Sequence, residues 1–332
     1  MLRMIWAVVA LLVSGVAQGR ADYGFAFPFG SQGSGDGHGP PLGTQPYWVE
    51  AMRQVRQNYY DPDGDAVKIS RFGDSITVSQ AFFQPLAPPG QAGRTYVNLP
   101  PEAEAALQWI RLVVPNEAWQ WQGADVDQHG AQGGVLSDWP LGPVPDNWPG
   151  RLEGERKVDY WLRRDNPAIA VIMFGTNDLP QQVTPEDYAD HLWQTVVACE
   201  ANGTIPVLTT PPPRHDFEDG SPEHQDHAAA FHQAVWDLAA RESVPVIDFH
   251  DEILARNPHN PPDGTWDGAD PTWDGYMGYE VPTSISRDGI HPSNWSAGLG
   301  DFVDGLNTNG YELRNYMTLL ATQEVYDWVL AQ

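Results

Sequence analysis

Seven consecutive apolar residues, Ala168-Ile169-Ala170-Val171-Ile172-Met173-Phe174, constrain the fold of this chain more than any other stretch. A half-exposed strand alternates apolar and polar residues. An unbroken short run, bounded by turn signals, predicts a strand covered on both faces. Two similar runs follow, Thr204-Ile205-Pro206-Val207-Leu208-Thr209 and Val244-Pro245-Val246-Ile247-Asp248-Phe249. Ala66-Val67-Lys68-Ile69-Ser70 is a shorter β-type run upstream, and Ala124 to Gln128 reads as the weakest of the set. Helical segments lie between them. Thr184-Pro185-Glu186-Asp187 offers a cap, a proline at the first helical position and acids in the first turn, and Asn202-Gly203 offers the stop. Glu223 to Glu242, Tyr311 to Leu330 and Trp48 to Tyr59 read as further helices. Strands alternating with helices predict an α/β domain around a parallel sheet.

The chain has 332 residues and a formal net charge of -26. Such a surface repels phosphate backbones and anionic membranes, so nucleic acid is excluded as a partner. Met1 to Ala21 has the pattern of a secretory signal peptide: Arg3 near the start, an apolar run from Met4 to Ala17, and small residues at Ala17, Gly19 and Ala21. The run is short for a membrane span, so the expectation is a secreted or periplasmic protein with no stable membrane insertion after processing. Residues 22–60 read as a Gly/Pro-rich leader and a lead-in helix, and residues 61–332 as one catalytic-sized domain. The single cysteine, Cys199, sits in an apolar helical stretch and reads as a buried small hydrophobe.

Three loops carry the chemistry. In the first, Arg71-Phe72-Gly73-Asp74-Ser75-Ile76-Thr77, a serine stands at a strand-to-helix turn, with Val78 to Phe83 expected to open a helix that Pro85 stops. In open α/β sheets this edge is where ligands bind, and the helix start offers N–H groups to an anion. The second is Phe174-Gly175-Thr176-Asn177-Asp178, after the longest apolar run. The third is Asp288-Gly289-Ile290-His291. Serine needs an adjacent base, histidine supplies one near neutral pH, and a carboxylate orients the imidazole. Asp288 and His291, three residues apart, can meet locally. Asn177 offers an amide donor suited to an oxyanion hole. Asp74 and Asp178 read as loop stabilisers.

This set resembles the SGNH (GDSL-type) hydrolase family. Gly73-Asp74-Ser75 is similar to its nucleophile block, Gly175-Thr176-Asn177-Asp178 to its Gly-x-Asn-Asp block, and Asp288-Gly289-Ile290-His291 to its Asp-x-x-His block. The remaining block contributes a glycine N–H to the oxyanion hole. It aligns within His129-Gly130-Ala131-Gln132-Gly133-Gly134, on Gly133 by the Gly-x-x-Gly spacing, with Gly134 next in line. The resemblance implies a flavodoxin-like three-layer α/β/α sandwich with a five-stranded parallel sheet. It implies catalytic residues Ser75, Asp288 and His291, an oxyanion hole of Ser75, Gly133 and Asn177, and no metal or organic cofactor. The rival α/β-hydrolase fold wants Gly-x-Ser-x-Gly, and here Thr77 follows where glycine is needed.

The expected activity is an exported serine esterase, with O-acetylated polysaccharide as the favoured substrate. A lipase or general carboxylesterase, an acyltransferase and a non-catalytic carbohydrate-binding protein are the alternatives. Oligomeric state is open. His215, His224, His227 and His232 cluster in sequence but read as an exposed polar helix face, and Asp263, Asp267, Asp270 and Asp274 as a solvated loop. Trp119, Trp121, Trp139, Trp266 and Trp273 could stack on sugar rings or serve as core.

Overall fold

The structure is a computed structural model that describes residues 45–60, 67–91, 93–119, 126–214, 222–256, 284–286, 288–293, 300–303 and 305–332. The expected signal peptide, nearly all of the 250–287 loop, His215, Trp121, Trp266, Trp273 and the Asp263–Asp274 group lie outside the described residues.

In chain order the elements are α1 (Val49–Arg56), β1 (Ile69–Gly73), α2 (Ser75–Val78), β2 (Tyr96–Val97), α3 (Pro101–Val113), α4 (Asn116–Trp119), α5 (Lys157–Asp165), β3 (Ile169–Met173), α6 (Pro185–Asn202), β4 (Ile205–Thr209), α7 (Pro222–Glu242), β5 (Val246–Ile247), α8 (Phe249–Arg256), β6 (Gly300–Asp301) and α9 (Gly310–Val325). Four strands form one parallel sheet in the order β1-β3-β4-β5, in register from Ile69 opposite Ile169 and from Ile169 opposite Ile205. Every residue of β1, β3 and β4 is buried, as the unbroken apolar runs predict. Full burial of each large apolar side chain contributes roughly 1.5–3 kcal/mol before chain entropy is counted.

The order along the sheet follows the order along the chain, so each crossover steps one place in the same direction. Right-handed crossovers then put the connecting helices on one face. There α5 packs on α6 and α6 on α7, while α9 packs with α3 and α8 on the other. The signals at the ends of α6 work as read: the Thr184 side chain accepts from Asp187 N at 3.1 Å, and Gly203 turns the chain out with φ 76°.

Two expectations need correction. No fifth strand forms at Ala124–Gln128. Residues 126–129 wind into a 3₁₀ turn, and the chain then touches β1 through a single bridge between Gly73 and Ala131. The segment after it holds three glycines and no β-branched residue, so it has little to extend a strand with. Gly130 is required at its turn: φ is 105°, and a Cβ would lie 2.2 Å from the Phe72 ring. The helix expected over Val78–Phe83 starts earlier, at Ser75, because Asp74 caps it, and it leaves helical geometry at Ser79 (ψ 135°).

Candidate active site

The nucleophile loop is built by one carboxylate. Asp74 Oδ1 accepts from Ile76 N at 3.0 Å, which starts α2 with Ser75 as its first residue. Gly73 has to be glycine, since a Cβ would lie 2.1 Å from Thr77 Oγ1 and 2.5 Å from the Met173 carbonyl. Asp74 is fully buried. Burial pushes its carboxyl up to about 6 against the lowering pull of the Ile76 hydrogen bond and of Arg314.

The acid–base loop is a second compact turn. Asp288 Oδ1 accepts from Ser286 Oγ at 2.5 Å, Ile290 N at 2.9 Å and His291 N at 3.0 Å. Its Oδ2 lies 2.7 Å from His291 Nδ1, and His291 Nε2 lies 3.0 Å from Ser75 Oγ. An ionised carboxylate can only accept, so Nδ1 carries the proton and Nε2 of the neutral ring faces the serine hydroxyl as an acceptor. Burial raises the Asp288 pKa, but hydrogen bonds from His291, Ser286 and the two backbone amides together outweigh it and hold the carboxyl well below its ordinary range. The Asp288 hydrogen bond raises the His291 pKa above 6.5, with burial opposing.

Asn177 and Gly133 flank the serine. Asn177 follows β3, the strand beside β1, and its Nδ2 donates to Val135 O at 3.0 Å. An amide carries two N–H bonds, so a second donor remains in that group's chemistry. A Cβ on Gly133 would lie 3.9 Å from Ser75 Cβ, whereas Gly134 has φ 77° and nothing within 4 Å of such a Cβ. The structure therefore brings Ser75, Asp288 and His291 together in one hydrogen-bonded row, with Gly133 on one flank. Asp178 ties the Asn177 loop to the Gly133 loop: its oxygens accept from Ser137 N at 3.0 and 3.1 Å and from Ser137 Oγ at 2.5 Å. Ser137 Oγ also lies 2.9 Å from His191 Nδ1.

Sequence reasoning missed the supports from α9. Arg314 is fully buried, donates to Ile76 O at 2.9 Å and Thr77 Oγ1 at 3.0 Å, and lies 3.6 Å over the Phe82 ring. Asn315 accepts from Phe83 N at 2.6 Å and donates to Ala81 O at 2.9 Å. Arg214, which follows β4, donates to Thr176 O beside Asn177. Only the presence of a charged residue inside a buried helix could have signalled Arg314, and the sequence does not reveal that α9 is buried.

Other candidates separate. Trp119 is core, 1% exposed and stacked on Phe83, so it offers no face to a sugar. Trp139 is half-buried against Trp161. The histidines of α7 are not an exposed face either: His227 Nε2 lies 2.9 Å from Val183 O, and His232 is buried beside Asp248. Cys199 is buried, which pushes its thiol pKa far up and leaves it inert. Among the described residues no helix is long and apolar enough to cross a membrane.

A serine, imidazole and carboxylate in a row at the carboxyl edge of a parallel sheet define an α/β hydrolytic enzyme site. Residues 72–294 match the GDSL-like Lipase/Acylhydrolase family, and the chain belongs to that family of esterases. Solved structures similar to it include a G-D-S-L family lipolytic protein from Desulfitobacterium hafniense, with 14% identity, 77% of this chain and 99% of that chain covered, and a TM-score of 0.43. A lipase/acylhydrolase from Enterococcus faecalis has 17% identity, coverage of 79% and 96%, and a TM-score of 0.41. A catalytic mutant of an acetylxylan esterase from Geobacillus stearothermophilus has 15% identity, coverage of 81% and 99%, and a TM-score of 0.40. No curated protein matches the sequence.

Proposed function

We propose that the protein is an exported serine esterase that removes acyl groups, acetyl first among them, from carbohydrate esters. The observation that carries the catalytic part is the row of contacts from Ser75 Oγ through His291 to Asp288, at 3.0 and 2.7 Å. Ser75 Oγ attacks the ester carbonyl as His291 Nε2 takes its proton. Asp288 stabilises the imidazolium that forms. The tetrahedral oxyanion is held by the backbone N–H groups of Ser75 and Gly133 and by the Asn177 amide. His291 returns the proton to the leaving alcohol, and a water activated by the same nitrogen frees the acid and Ser75. The charged start and apolar run of residues 1–21 support export, and the acidic composition suits a substrate that is neither nucleic acid nor anionic lipid.

The test is turnover of acetylated xylo-oligosaccharides and of p-nitrophenyl esters from acetyl to decanoyl, with wild type and Ser75→Ala. The expected result is a preference for acetyl, labelling of Ser75 by a fluorophosphonate, and loss of turnover by roughly 10⁴–10⁶ in the variant. Preference for the long chains would overturn the substrate assignment and leave the nucleophile standing. Full activity in Ser75→Ala would overturn the mechanism.

A further inference from the structure

α7 and α8 meet over the carboxyl ends of β4 and β5, two strands away from the strand that carries Ser75. His232 of α7 is 4% exposed. Its Nε2 lies 2.9 Å from Asp248 Oδ1 and 3.5 Å from Asp251 Oδ1. His250 Nδ1 lies 3.0 Å from the same Asp251 oxygen, and the two imidazole rings lie 4.7 Å apart at 28°. One ligand atom each from His232, His250 and Asp251 therefore falls within a 4.8 Å group. We propose that His232, His250 and Asp251 bind a divalent transition metal of the zinc class, which pins α8 to α7.

The donor set and its spacing fit such an ion. Two imidazole nitrogens and one carboxylate oxygen are zinc ligands, and three protein ligands leave a fourth place for water. Donors about 2.0–2.1 Å from a tetrahedral ion sit about 3.3 Å from one another. The two imidazole-to-Asp251 distances, 3.0 and 3.5 Å, bracket that value. Asp251 is half-exposed and opens the group to solvent, while the two rings are buried enough to be held.

The surroundings already fix these side chains without the ion. His250 N donates to Thr210 Oγ1 at 2.9 Å, which anchors the start of α8 to the end of β4. Asp248 accepts from Trp236 Nε1 at 3.0 Å, from Thr210 Oγ1 at 3.2 Å and from Asp251 N at 3.2 Å. If His232 Nε2 gives up its proton to take a metal, Asp248 keeps three other donors, so coordination orphans no buried acceptor. Two neutral imidazoles beside two carboxylates leave the group formally negative, and a dication offsets that charge. The metal has no part in the ester chemistry assigned to Ser75.

The test is calorimetric titration of chelator-stripped protein with zinc chloride, paired with thermal melting. Wild type should bind one zinc at this group, and its melting midpoint should rise by roughly 5 °C at a hundredfold excess over Kd. His291 and Asp288 can also attract zinc, so His291→Ala is titrated in parallel and should keep the event. His250→Ala and Asp251→Asn, at the rim and compatible with folding, should each weaken binding at least tenfold while leaving ester turnover in metal-free buffer unchanged. Absence of binding, binding unaffected by both rim variants, or binding lost only in His291→Ala would each overturn the proposal.

Discussion

Arg314→Met tests how the serine is held. α2 has four residues, a single turn that cannot sustain itself. Arg314 grips it at Ile76 O and Thr77 Oγ1. Methionine fills much of the space beside Phe82 but donates nothing. The Ile76 carbonyl then loses a charged donor in a buried site, at about 1–3 kcal/mol, while the Thr77 hydroxyl can rotate and recover part of its loss. Asp74 also loses the cation that opposes its desolvation. On the other side, burial already pulls the Arg314 pKa down to about 9, so removing the charge relieves some strain. The balance is a net loss of about 2–3 kcal/mol, or a melting midpoint lower by about 5–10 °C for a domain of this size. Because the released groups belong to the turn that carries Ser75, kcat should fall by about 10–100-fold with KM nearly unchanged. Arg314→Lys keeps the charge without the fork and should fall between. The assays are calorimetric melting and steady-state kinetics, normalised to fluorophosphonate-titrated sites. A midpoint within 1 °C of wild type with unchanged kcat refutes the bracing role. A lower midpoint with unchanged kcat per titrated site refutes the link to the nucleophile.

Activity should rise with pH as His291 loses its proton; the Asp288 hydrogen bond raises that pKa, so the midpoint of the acid limb of kcat/KM should lie above 6.5 and move down in Asp288→Asn. A midpoint below 6.5 in wild type contradicts the assigned pairing. Asn177→Ala should lower kcat by roughly 10²–10³ with KM little changed, and a raised KM with intact kcat would mark Asn177 as a substrate contact instead. N-terminal sequencing of exported protein should find a mature start between about residues 18 and 24; a chain still beginning at Met1 would rule out cleavage.

The sheet was legible because its signal is local. Three apolar runs mark β3, β4 and β5, and the caps at Thr184 and Gly203 mark α6, since each depends on residues only a few positions apart. β1 was placed three residues early, at Ala66–Ser70 instead of Ile69–Gly73. Arg71 was responsible: it reads as polar, yet it is 5% exposed, with its guanidinium 5.2 Å over the Phe83 ring. The expected outer strand failed for the opposite reason. Val126 suggested a strand, but Gly130, Gly133 and Gly134 make the segment a loop that approaches β1 at one point. That approach sets Gly133 beside Ser75, where a full strand would carry the chain past it.

The three chemical loops were legible because each contains its own short-range logic. Asp74 caps two residues ahead, and Asp288 meets His291 three residues ahead. What joins the loops was not legible, because it spans more than 230 residues. Asn315 and Arg314 reach back to residues 76–83, at separations of 232 to 238. The start of the same helix braces the other half of the site. Gly310 N donates to Ser293 Oγ at 3.1 Å, Tyr311 N to Ser293 O at 3.2 Å, and a Cβ on Gly310 would lie 2.0 Å from Ser284 O. Ser284 and Ser293 close the turn that presents Asp288 and His291, through Ser293 N to Ser284 O at 2.8 Å. One helix thus backs both the serine turn and the imidazole turn. The 3.0 Å between Ser75 and His291 is accordingly a property of how α9 is seated, and changes along α9 should act on both partners together. A composition such as Arg314-Asn315 in a helix reads as solvent-facing from sequence, since nothing local distinguishes a polar face that grips a neighbouring loop from one that meets water.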